Sequence, residues 1–212
     1  MKRIIVALMM SVVLVSAKSA DIKNLFVEMP DSIMPLLVKN NRLDMLDYMD
    51  IGMSAKVKNK LGGESEMTLF KDDMISISMT DVTEYDIKLF YGKDSLVTIA
   101  VIETVKGGYS DSSISFYNTK WEKLNTTNLI KMPVLEDFIN KKSLRNEENK
   151  KLLDELIYRM FVVDVAPDTN TLSVAFSSAE YIIDKDVRNS IFARYSIIYR
   201  WNGKKFIRQK DR

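Results

Sequence analysis

Between Glu66 and Tyr117 hydrophobicity alternates with a period of two, which restricts the middle of the chain to extended strands. In "MISISMT", Ile75, Ile77 and Met79 fall on one side and Ser76, Ser78 and Thr80 on the other. "DIKLFYG" groups Ile87, Leu89 and Tyr91 in the same way, and "SSISFYN" sets Ile114 and Phe116 against Ser113, Ser115 and Tyr117. "SLVTIAVIETV" is apolar on both faces for much of its length, the pattern of a central strand. Polar turns at Lys71-Asp72-Asp73, Gly92-Lys93-Asp94 and Gly107-Gly108 join these runs. The order predicts an antiparallel meander of four or five strands, with a further short strand starting at Trp121.

Helical signals flank the meander. From Asp21 to Gly52 the pattern is helical: Asp31 or Ser32 is placed to cap a short helix, with Pro35 tolerated in its first turn. Asn40-Asn41 is expected to interrupt the pattern, and a second helix is expected from Arg42 to Met49, ended by Gly52. After the meander the order returns. A short helix is predicted over Val134 to Ile139, then a longer one from Glu147 to Met160 with Asn146 as its cap. Leu152, Leu153, Leu156, Ile157 and Met160 share one face of that helix. Glu147–Lys151, Lys151–Glu155 and Glu155–Arg159 are i,i+4 pairs on the other face.

Three strands are then predicted. "FVVDVA" turns Phe161, Val163 and Val165 inward, and "TLSVAFS" does the same with Leu172, Val174 and Phe176. "RYSIIYRW" aligns Tyr195, Ile197, Tyr199 and Trp201, and Asn202-Gly203 marks a hairpin. The fold class is therefore α+β, as two tandem units of a helix pair followed by an antiparallel meander, with helices packed on a largely antiparallel sheet. The expected units are 20–128 and 129–212, with sheets able to join into one, and their endings are alike: "SISFYNTKWEKL" beside "SIIYRWNGKKFIR".

Residues 1–19 have a different character. Lys2 and Arg3 precede a run from Ile4 to Val15 in which Ser11 is the one polar residue, and the small residues of "VSAKSA" follow. This is the pattern of a cleavable signal peptide, and the run is short for a bilayer-spanning anchor, the competing reading. Cleavage is expected after Ala17, with Ser19 as the alternative. No cysteine follows to carry a lipid, so a periplasmic or secreted location is expected, with no transmembrane segment after cleavage. Losing Lys2, Arg3 and Lys18 takes 31 basic residues to 28, against 29 acidic ones. A nearly neutral chain offers no electrostatic footprint for nucleic acid, and no such partner is expected.

The chain holds no cysteine and no histidine. Stability must come from the core, which 46% hydrophobic residues can supply over about 190 positions. Thiolate and imidazole chemistry and ordinary zinc or copper sites are excluded. Carboxylate, Ser-Lys or tyrosine chemistry and oxygen-ligated calcium or magnesium remain open.

"MPDSIMPLLVKNNRLDMLDYMD", followed by "AKVKNKLGGESEM" and later by "ISFYNTKW", resembles an exported bacterial family, domain of unknown function 3256. The resemblance spans nearly the whole chain beyond the signal. It implies export and an α+β fold, and it brings no activity or catalytic residues with it.

Several clusters invite a chemical reading. Asp44, Asp47 and Asp50 recur every third residue, but a helical projection sets Asp44 and Asp47 opposite Met45, Leu46 and Met49, as a solvated face requires. "DVAPDTN" and "DKDVRN" lack the glycine and the terminal glutamate of a calcium loop. "LGGES" and "KGGYS" lack a phosphate-loop lysine and read as turns. Ser54-x-Lys56 does not have Ser-x-x-Lys spacing. Tyr195, Tyr199 and Trp201 read as core, the alternative being a ligand surface. Tyr117, on the serine face and beside Trp121, is the expected exposed anchor for a partner, with Trp121 as its neighbour in that role. The methionines, concentrated between Met45 and Met79, read as an irregular core. No cofactor is expected. These features suit an exported, non-enzymatic binding protein of the bacterial envelope, its partner an envelope protein, a peptide or a glycan. The alternatives are a carboxylate-dependent hydrolase, whose two acids would lie about 5–10 Å apart in a cleft, and an outer-membrane assembly factor.

Overall fold

The computed structural model describes residues 20–93 and 96–210, so the expected signal peptide lies outside the described residues. Strands β1 (Ala55–Lys58), β2 (Glu64–Lys71), β3 (Met74–Thr80), β4 (Thr83–Tyr91), β5 (Val97–Val105), β6 (Asp111–Tyr117) and β7 (Lys123–Leu124) form one antiparallel sheet in chain order. The alternating period thus produces the expected meander, with β1 as a strand that its four residues did not announce. A second antiparallel sheet has the order β11-β10-β9-β8, built from β8 (Phe161–Val165), β9 (Thr171–Phe176), β10 (Ser196–Trp201) and β11 (Phe206–Arg208). The architecture is α+β, with two separate sheets where one joined sheet was a possibility.

Side-chain alternation divides the interior in two. Odd positions of the central strands, including Ile75, Ile77, Ile87, Leu89, Ile99 and Val101, pack with helices α1 (Ile22–Glu28) and α2 (Lys39–Asp50). Even positions, including Met74, Phe90, Ala100, Ile102 and Phe116, pack with the inward residues of the second sheet. That second cluster also takes Leu124, Leu129 and Ile130, so it holds residues from both sides of position 128. The expected boundary falls within the one-turn helix α3 (Thr126–Leu129).

The helices depart from expectation where side chains compete with the local pattern. The first helix begins at Ile22, capped by the Asp21 carboxylate accepting from the Lys23 N–H at 3.0 Å. Residues 30–37, where a helix capped by Asp31 or Ser32 was expected, form turns. Asn40-Asn41 does not interrupt the next helix. Asn41 lies in its first turn, and its side-chain oxygen accepts from the Val38 N–H at 3.1 Å. Val134 to Ile139 holds one 3-10 turn, Leu135–Asp137. Helix α4 (Glu147–Glu155) has the expected Asn146 cap but stops five residues short of Met160. Among the described residues the ion pair within the helix is Glu147–Lys150, at i,i+3, where i,i+4 pairs were expected. Helix α5 (Lys185–Ile191), between β9 and β10, was not foreseen. The final hairpin uses a loop from Asn202 to Lys205, with Gly203 at φ 93°.

Two buried cations hold the layers. Arg42 donates to the carbonyls of Leu37, Val27 and Met29 and to Asp31, at 2.6–3.2 Å, binding the turns between the first two helices. Lys88 on β4 pairs with Asp73 in the β2–β3 turn. The same Asp73 carboxylate accepts from the Asp168 N–H in the β8–β9 turn at 3.1 Å, so the pair couples the two sheets. Gly92 completes that junction: a Cβ there would lie 2.8 Å from the Gly203 carbonyl oxygen, which only glycine avoids.

Candidate functional site

An apolar groove lies where α4 ends and α5 begins. Leu156 leaves helical geometry, and the next residues are drawn toward β9: Met160 N–H donates to Ser178 Oγ at 2.8 Å, and the Ser177 N–H donates to Met160 C=O at 3.1 Å. These tertiary bonds take the chain out of the helix and turn Ile157 and Tyr158 outward. Opposite them, a 3-10 turn over Ser177–Tyr181 leads through Ile182 and Ile183 to Asp184, whose carboxylate caps α5 by accepting from Asp186 and Val187 N–H.

The groove between these segments encloses about 540 Å³. Leu152, Leu156, Ile182 and Val187 form its floor, and Glu155 and Asp184 stand at its rim. Its walls are apolar and wet: Ile183 is 91% exposed, Ile157 81%, Tyr158 66% and Tyr181 40%. Single exposed apolar residues are ordinary, whereas here four large ones gather around one groove. Tyr181 is held in place by Tyr109 from the β5–β6 turn, with ring centroids 3.7 Å apart. The sequence pattern hid the groove because Ile157 fits the buried face of a helix that stops before reaching it.

The expected anchor pair lies elsewhere and is packed differently. Trp121 is 8% exposed, belongs to the core beneath the first two helices, and donates its indole N–H to the Leu25 carbonyl at 3.1 Å. Tyr117 is half-buried against the same core, its ring 5.6 Å from that of Trp121. The exposure expected of this pair is corrected: both rings cover the sheet where it meets the first helix.

The remaining clusters resolve into structure. Asp44, Asp47 and Asp50 are exposed on α2, and Asp50 pairs with Lys23 at 2.7 Å. "DKDVRN" forms the start of α5, and "DVAPDTN" the β8–β9 turn, with Asp168 at φ 59°. Both glycine pairs are turns, and Ser54 donates to Glu66 at 2.8 Å. Tyr199 and Trp201 are buried as expected, whereas Tyr195 precedes β10, is 41% exposed and donates to Asn189 at 2.5 Å. Among the described residues no group of three His, Cys, Asp or Glu side chains could hold a metal ion.

One carboxylate has a perturbed proton affinity of the sort acid catalysis uses. Burial raises Asp86 above the ordinary carboxylate range; the Ser76 hydroxyl, donating at 2.5 Å, opposes this, and Glu84 and Asp164 add to it. Yet the cavity beside Asp164 holds only about 120 Å³ and is lined without Asp86. A second, more polar cavity of about 420 Å³ lies between α3 with the residues after it and the β10–β11 hairpin.

A family model described as "Protein of unknown function (DUF3256)" matches residues 14–206. The chain belongs to this family. No curated protein matches this DUF3256 chain. It is similar to the solved structure of a domain of an uncharacterized protein from Porphyromonas gingivalis W83, with 24% identity and a TM-score of 0.79. The match covers 90% of this chain and 98% of that one, and at this identity it speaks for the fold alone. Among the described residues no helix of the DUF3256 chain is long and apolar enough to cross a membrane.

Proposed function

We propose that this DUF3256 protein is an exported binding protein of the bacterial envelope, and that it acts by holding an apolar segment of a partner protein in the groove between α4 and α5. The observation that carries the reading is the exposure of Ile157, Tyr158, Tyr181 and Ile183 around one hollow with a buried floor. Each such side chain brings apolar area that a partner can remove from water, at about 25 cal/mol per Å². The absence of histidine and cysteine supports binding over catalysis, and the signal-like residues 1–19 support export. The test is capture of envelope proteins on immobilised residues 20–212, with Ile183→Asp and Ile157→Asp as matched controls. The reading expects at least one protein retained by the wild type and lost from both variants. Identical retention by all three would overturn it.

A further inference from the structure

The polar cavity is independent of the apolar groove and has its own chemistry. Three cations line it from three segments: Lys131 after α3, Lys205 in the final hairpin loop and Arg208 on β11. The lining carboxylate, Asp137, is engaged by Arg208 at 2.5 Å and by the Val134 N–H at 3.0 Å. Lys131 and Lys205 have no ion-pair partner among the described residues. Three positive groups therefore face one hollow with one negative group to balance them, and such a hollow concentrates anions.

The walls are built to stay in place. Tyr199, buried in the second sheet, donates its hydroxyl to the Lys131 carbonyl at 3.0 Å and fixes the backbone that carries that lysine. The Arg208–Asp137 pair does the same for the opposite wall. Burial pushes the Asp137 carboxyl up, but the Val134 N–H, Arg208 and the nearby charge of Lys131 outweigh it and hold the group below the ordinary carboxylate range, so it stays charged. Thr127 and Asn128 add a hydroxyl and an amide to the lining, and buried Phe206 gives an apolar floor.

We propose that this cavity binds a hydroxylated organic anion of about monosaccharide size, its charged group held by Lys131, Lys205 and Arg208 and its hydroxyls by Thr127 and Asn128. The volume lies in the range of small-molecule sites, about 300–1,000 Å³, and a bare inorganic ion would leave most of it empty. Ile130, Met132 and the edge of Phe206 supply the apolar area that the C–H groups of a sugar ring would cover. A carboxylate and a phosphate share the charge that the three cations recognise, and the probes below separate them.

The test is titration of the purified protein with glucuronate, glucose 6-phosphate, glucose and inorganic phosphate, followed by amide chemical shifts of residues 127–132 and 205–208. At least one of the two sugar anions is expected to bind at least tenfold more tightly than glucose and than inorganic phosphate; which one does so names the charged group. Lys205→Glu and Lys131→Glu, both at exposed and unpaired positions, should each weaken that binding at least tenfold with the melting temperature kept within a few degrees. Ile183→Asp should leave it unchanged. If Lys131→Glu does not fold, Lys205→Glu and a tenfold loss between low and high salt serve the same purpose. Sugar anions that bind no better than glucose, inorganic phosphate that binds as well as they do, or binding that survives charge reversal would each overturn the proposal.

Discussion

On the helical side of the seven-stranded sheet Met29, Met34, Met45, Met67 and Met79 do much of the filling, whereas on the side facing the second sheet Phe90, Phe116, Phe138, Phe176, Phe192, Trp201 and Phe206 take that place. The difference follows from what each layer presents. Two short helices joined by turns leave an uneven surface, and the flexible thioether fills uneven gaps. Two pleated sheets present regular rows, where rigid rings interlock; Phe90 meets Phe206 edge-on at 4.7 Å, and Trp201 lies 5.0 Å from Phe206. Among the described residues each interior contains one fully buried cation, and the two are held in opposite ways: Arg42 mostly by main-chain carbonyls, Lys88 by a single carboxylate.

That contrast can be broken by substitution. Arg42→Met should show the largest loss, about 3–5 kcal/mol in urea denaturation, because three carbonyls and Asp31 lose their donor together. No second substitution can remove main-chain carbonyls, so no double variant should restore it. Lys88→Met should cost about 3 kcal/mol through the Asp73 charge left without its partner, and here Asp73→Asn should recover at least half of the loss. A double variant no more stable than Lys88→Met would show that the two cations are not held differently. Gly92→Ala, at the sheet-to-sheet junction, should cost about 1–3 kcal/mol because the Gly203 backbone must move. The helical side should be the more forgiving of reshaping: Met45→Leu is expected to cost less than about 1.5 kcal/mol, and a larger loss in the thermal transition would mean that the methionine interior is packed as tightly as the aromatic one.

The smallest effect is a matter of pH. Asp86 is raised in the folded protein, so its contribution to stability is fully present below its unfolded value of about 3.9 and is lost as pH rises through the folded value. Asp137 is lowered, so its contribution is present above the unfolded value and is lost as pH falls through the folded one. Asp86→Asn should therefore flatten the gain in melting temperature seen on mild acidification, and Asp137→Asn should flatten the loss seen at still lower pH. An unchanged profile in Asp86→Asn would mean that its burial is not felt.

The strands were legible because each buries one face, and a period of two survives any rearrangement of neighbours; Ile75, Ile77 and Met79 needed no tertiary information to be placed. The caps at Asn146 and the turns at the glycine pairs were legible for local reasons as well. Helix ends were less so. Asn41 looked like a breaker and acts as a first-turn partner for Val38, a choice decided by which main-chain group lacks a bond. Helix α4 ends where Met160 finds Ser177 and Ser178, residues far ahead in the chain, and so the groove built on that ending left no mark in the local pattern. Arg42 did leave one: it stands in the middle of the helical arc formed by Met45, Leu46 and Met49, a position where a charge must find partners. Trp121 was misplaced because its partner, the Leu25 carbonyl, lies 96 residues earlier.

That last bond also sets an order of events in time. A chain is synthesised from its N-terminus at about 5–20 residues per second, so α1 emerges about 5–20 s before the indole that will hold its Leu25 carbonyl. Until then Phe26 and Ile22 have no finished sheet to lie on. The first of the described helices is therefore locked to its sheet only once the meander is nearly complete, and the early segment must be kept from other apolar surfaces while it waits.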